Sequence, residues 1–92
     1  MIIRILNDNQ YIMPSVYYDD INKIDNEIVR LIAHGDKKGF KQKYSELIAI
    51  IHKNGIPMDP KIIKESDIIV PPVDLTFEEA KKIFVGDGIM PG

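Results

Sequence analysis

The chain has 92 residues, 45% of them hydrophobic and 28% charged, with a net charge of −2. That length is one domain, spanning residues 1–92, with a core of modest depth and little room for an enclosed active site, and the composition argues against disorder. There is no cysteine, which excludes a disulfide framework, a thiolate nucleophile and a cysteine-ligated zinc and fits a reducing cytosol.

Residues 2–6 and 10–13 are short, rich in Ile and Tyr, and separated by Asn7-Asp8-Asn9. This predicts a β-hairpin, because Asn and Asp bond their own main chain and tolerate left-handed backbone angles in a tight turn. The first apolar run is broken by Arg4 and ends at Asn7, too short for a signal peptide or a membrane span. Pro14 opens the next segment, where a missing N–H is tolerated in a first helical turn. From Val16 on, Tyr17, Ile21, Ile24, Ile28, Leu31 and Ile32 fall at spacings of three and four, one face of a helix. Asp19 and Asp20 stand near its N-terminal end, where the helix dipole favours carboxylates, and Gly35 is placed to end it.

Asp36 is the expected N-cap of a second helix that buries Phe40, Tyr44, Leu47, Ile48 and Ile51 and stops at Asn54-Gly55. Two long helices with so short a joint predict an antiparallel helical hairpin. Asp59-Pro60 is expected to start a single helical turn running through Ile63 and Lys64, and residues 67–70 form a strand closed by Pro71-Pro72. Thr76-Phe77-Glu78-Glu79 is a capping box that opens a third helix reaching about Phe84, with Ala80, Ile83 and Phe84 inward. The glycine- and proline-rich tail, residues 86–92, cannot be regular helix. The fold class is therefore α+β: an N-terminal β-hairpin, a long antiparallel helical hairpin, a short third strand whose partner is not legible, and a C-terminal helix.

Charge is unevenly distributed. Residues 1–30 have net −2 and residues 56–92 net −3, whereas residues 31–55 hold five lysines against Asp36 and Glu46, net +3. This basic island reads either as a solvated helix face or as a docking face for an acidic helix or anionic lipid.

Motifs for catalysis and cofactor binding are missing. His34 and His52 lie on different helices, without the converging ligand set a metal needs. Asn7-Asp8-Asn9 lacks the later glycine and glutamate of a calcium loop. Gly86-Asp87-Gly88 follows a helix, the wrong side for a phosphate site. Ser15, Ser45 and Ser66 occupy no nucleophile elbow, and the lysine cluster has no arginine or aromatic platform for nucleic acid. The expectations are no enzyme, no cofactor and no nucleic acid. The apolar face of the second helix is needed for the core, so membrane contact is limited to an electrostatic, peripheral one.

Ile3-Arg4-Ile5-Leu6 with Gln10-Tyr11, then Ile21-Asn22-Lys23-Ile24-Asp25, Gly35-Asp36 with Phe40, and Gly55-Ile56-Pro57 form one series of matching residues. Ser66-Asp67-Ile68-Ile69-Val70-Pro71-Pro72, Asp74-Leu75-Thr76-Phe77-Glu78-Glu79-Ala80 and the closing Gly88-Ile89-Met90-Pro91-Gly92 extend it. Over essentially its whole length the chain thus resembles the phage-shock-protein-A-associated protein family. It departs where the family usually has glycines in the hairpin turn and this chain has Asn7 and Asn9. The resemblance implies a partner, the long helical coiled-coil protein that coats stressed bacterial membranes, and an accessory or regulatory role in the envelope-stress response. It brings no catalytic residues. The expected location is cytoplasmic, with the inner face of the membrane reached through the partner. Lys37, Lys38, Lys41 and Lys43, with Ile89 and Met90 of the tail, are the candidate contact residues. Ile89 and Met90 have a second reading, in which they fold back on the core. Two other functions stay open: a self-associating homo-oligomer, in which residues 68–70 add as a strand across subunits, and a small-molecule sensor.

Overall fold

A computed structural model describes residues 1–86 and 88–90. The chain forms β1 (Ile2–Ile5), β2 (Gln10–Ile12), a 3-10 turn (Ser15–Tyr17), α1 (Tyr18–Ala33), α2 (Lys37–Asn54), β3 (Ile56–Pro57), β4 (Ile68–Val70) and α3 (Phe77–Ile83). This is the α+β class expected from the sequence. The hairpin turn holds Asn7 at φ 62°, so an asparagine supplies the left-handed residue where a glycine is otherwise the easy choice.

The sheet has the order β3-β2-β1-β4. β1 and β2 pair antiparallel, with Ile3 opposite Tyr11. The partner of the strand at residues 68–70 is β1, in parallel, with Ile3 opposite Ile68 and Ile5 opposite Val70. A parallel pair needs a crossover too long for a hairpin, and the helical hairpin supplies it. The inward residues Ile3, Ile5, Ile68 and Val70 join Ile21, Ile28, Phe40, Leu47 and Ile51 in one core.

α1 closes in a Schellman arrangement: Gly35, at φ 72°, donates to the Ile32 carbonyl at 3.0 Å and Asp36 donates to that of Leu31 at 2.9 Å. The Asp36 side chain accepts from the Gly39 amide at 2.9 Å and so starts α2 at once. Tyr17 to Asn54 and Glu27 to Lys43 are cross-pairs of an antiparallel arrangement.

Two local expectations are corrected, and one strand was not foreseen. The segment after Asp59 is a hydrogen-bonded turn, Ile62 N–H to Asp59 O at 2.9 Å, and not a helical turn. Just before it, Ile56–Pro57 is a strand on the β2 edge, unforeseen because two residues carry no alternation. Ile83 is exposed: Phe77, Ala80 and Phe84 define the buried stripe of α3, and Ile83 lies roughly a quarter turn off it.

Candidate partner-binding groove

The N-terminal half of α2 and residues 73–78 enclose an open groove of about 470 Å³. Its floor is aromatic. Phe40 stacks on Tyr44 with ring centroids 5.5 Å apart and meets Phe77 edge-on at 5.9 Å, while Phe84 packs behind both. All four are buried, so they form a rigid bed.

The second wall is held by three local devices. The Tyr44 hydroxyl donates to the Pro71 carbonyl at 2.6 Å and to that of Pro72 at 3.0 Å, tying the proline pair to α2. Burial, and then the negative charge of Asp74, push the Tyr44 phenol well above its ordinary pKa, so it stays a donor. Leu75 N–H donates to Pro72 O at 3.1 Å, turning the chain toward α3. The capping box then forms as expected: Thr76 Oγ1 accepts from the Glu79 amide at 3.2 Å, and the Glu79 carboxylate accepts from the Thr76 amide at 3.1 Å. The Thr76 hydroxyl, donating to the Glu79 carboxylate at 2.8 Å, and then the Thr76 amide hold the Glu79 carboxyl below its usual range.

The two walls differ in charge. Lys37 and Lys41 stand on the α2 side, Asp74 and Glu78 on the other. The first turn of α2 holds Lys37 and Lys38 and no acid. Cations there oppose the helix dipole, an arrangement that costs about 0.3–1 kcal/mol per charge. This placement detracts from stability and leaves positive charge at the mouth of the groove.

Of the residues singled out from the sequence, the structure brings Lys37 and Lys41 together at the groove. Lys38 is exposed on α2 outside the groove lining. Lys43 turns to α1 and pairs with Glu27 at 3.0 Å and Glu46 at 3.1 Å. The bond to Glu27, then that to Glu46, raises the pKa of its ammonium, and the same bond lowers that of Glu27. The assignment of Met90 as a contact residue is corrected: it is 3% exposed and belongs to the core, as the fold-back reading has it. Ile89 is partly buried against the same core.

What holds this tail is Asp25, which the sequence reading missed. It lies on the buried stripe of α1 between Ile21 and Ile28 and is 0% exposed. Its Oδ1 accepts from the Ile89 amide and its Oδ2 from the Met90 amide, both at 3.1 Å. Gly88, at φ 81°, sits so close that a Cβ there would strike the carboxylate. Burial raises the Asp25 pKa above the ordinary value, and the two amides offset part of that rise. An acid within an apolar helical stripe was the available signal. His52, exposed near the end of α2, has its Nε2 2.7 Å from Asp8, which also accepts from the Tyr11 hydroxyl.

Among the described residues no cluster of acids and histidines can hold a metal ion, and no helix is long and apolar enough to cross a membrane. The site is a groove on an α+β domain, with an aromatic floor and oppositely charged walls. Residues 1–92 match the family described as PspA-Associated protein, so the chain belongs to that family. That family's description indicates an accessory role linked to PspA. No curated protein and no solved structure matches the chain.

Proposed function

We propose that the chain is a non-catalytic accessory protein of the phage-shock, envelope-stress response that binds a PspA-like coiled-coil protein through the groove between α2 and residues 73–78. The observation that carries this reading is the family match over the whole chain. The dipole-opposed lysines at the groove mouth support it, since residues that detract from stability are commonly kept for binding. The protein works in the cytoplasm and reaches the membrane through its partner. The test is calorimetric titration with purified PspA of the same genome. Lys37→Glu/Lys41→Glu weakens binding about tenfold or more while the fold persists; unchanged affinity removes the groove from the interface, and no binding by the wild type removes the function.

A second reading is self-association. The sheet face turned away from the helices exposes Ile12 (45%) and Ile56 (63%), which are register partners, and Ile69 (54%), which lies beyond β1 with Arg4 as its partner. Such an apolar patch suits a homo-oligomer interface. Light scattering decides it: a strict monomer at high concentration ends this reading.

A further inference from the structure

We infer that the groove takes a single amphipathic α-helix in one fixed orientation, with acidic residues along the flank that meets α2 and basic residues along the flank that meets residues 73–78. This rests on the groove being the partner surface and adds what the partner must present there.

The walls are complementary to a two-signed ligand. Lys37 and Lys41 are one helical turn apart on α2, and among the described residues neither makes an ion pair, whereas Lys43 already has two carboxylates. Asp74 likewise makes no ion pair among the described residues, and Glu78 meets only the exposed Lys81 at 3.4 Å, a contact readily exchanged. A uniformly acidic segment, or a phosphate backbone, satisfies the lysines and is repelled by Asp74 and Glu78. A uniformly basic one has the reverse defect. Only a ligand with opposite charges on its two flanks satisfies both walls.

The backbone around the groove indicates a helix. Strand addition requires an exposed sheet edge with free main-chain donors and acceptors. Here both walls are helix or capped turn, and the carbonyls of Pro71 and Pro72 already accept from Tyr44. Recognition therefore falls to side chains. The α2 wall runs from Lys37 to Ser45, about 12 Å at 1.5 Å per residue, which matches two turns of an incoming helix. Apolar residues on the central stripe of that helix rest on the aromatic floor. Because the charges lie on opposite flanks, reversing the helix direction places like charges together, so one polarity is selected.

The experiment uses fluorescence anisotropy with the full chain and three designed helical peptides of about 21 residues, three heptads sharing one apolar seam. One has one acidic and one basic flank, the second has two basic flanks, and the third has two acidic flanks. The expected result is that the first binds about tenfold more tightly than either other, the scale of four exposed charge pairs, and that the difference collapses at high salt. In the variant Asp74→Lys/Glu78→Lys, whose two walls are both basic, the preference passes to the third peptide. A preference of the wild type for either uniformly charged peptide, an unchanged ranking in the variant, or no binding of any peptide at about 1 mM overturns the inference. If PspA binding is lost in Lys37→Glu/Lys41→Glu while the peptides are not distinguished, the proposed function stands and the two-signed helix falls.

Discussion

Replacing Asp25 by Asn leaves the volume of a fully buried side chain nearly unchanged and removes its charge. The two oxygens of Asp25 accept one amide each, from Ile89 and Met90 at 3.1 Å. The asparagine retains one acceptor and turns an NH₂ toward the other amide. One charge-assisted hydrogen bond, about 1.5–3 kcal/mol, is lost and the second is weakened. Against this, Asn avoids burying a charge, a cost visible in the raised pKa of Asp25. The loss also has a ceiling, since the tail can peel away once its docking energy is exceeded, and the main apolar term there is Met90, about 1.5–3 kcal/mol on full burial. The expected destabilisation at neutral pH is about 1–3 kcal/mol. Urea unfolding measures the global part, and amide hydrogen exchange at Ile89 and Met90 measures the local part, with protection falling about tenfold per 1.4 kcal/mol. The sign with pH follows from the raised pKa. The folded chain holds this proton more tightly than the unfolded chain, whose value is about 3.9. The stability from that proton is fully present below the unfolded value and is lost as pH rises through the folded one. The wild type therefore gains on Asp25→Asn as pH falls through that window. Unchanged protection of Ile89 and Met90 in the variant, or a gap that narrows on acidification, refutes the account of Asp25 as the tail's anchor.

Tyr44→Phe removes the donor that ties Pro71 and Pro72 to α2 and leaves their carbonyls without it; a loss of about 1–2 kcal/mol in urea unfolding is expected, with weaker PspA binding because the second wall is freed. Gly39→Ala, which ordinarily strengthens a helix by about 1 kcal/mol, lowers the melting temperature here. Its Cβ would lie 2.7 Å from Asp36 Oδ2 and 2.9 Å from Leu31 Cδ2, disturbing the N-cap and the hairpin packing, and a raised melting temperature refutes this. Lys37→Glu alone raises stability by about 0.3–1 kcal/mol, through the helix dipole, while weakening partner binding; a parallel change in both would assign Lys37 to the fold alone.

The helices were legible because each carries a long stripe with explicit stops. Gly35 and Asp36 mark the joint, and the Thr76–Glu79 box marks the start of α3. The helical periodicity of Phe40, Tyr44, Leu47, Ile48 and Ile51 matched their burial without exception. Pairing was less legible. The choice of β1 as partner for β4 depends on sixty-odd intervening residues, and a parallel ladder leaves no turn signal. β3, with two residues and a proline, has no period to detect. Of the groove, the lysines were visible as a charge cluster, but their division between the groove and α1 depends on the rotation of α2 about its axis. The opposing wall was visible only as a cap and a proline pair. Asp25 was passed over as one more acid on a helix, although its position between Ile21 and Ile28 marked it.

The placement of β1 between β2 and β4 has a kinetic consequence. Its contacts with β2 close a loop of a few residues, whereas those with β4 join Ile3 to Ile68. The first can form within microseconds, while the second must wait for both long helices to collapse against each other. Until then one edge of β1, with two isoleucines meant for the interior, is open to pairing with another chain. Mutations that slow docking of residues 68–70 will therefore act first on the yield of folded protein, through aggregation during synthesis, before they alter its measured equilibrium stability.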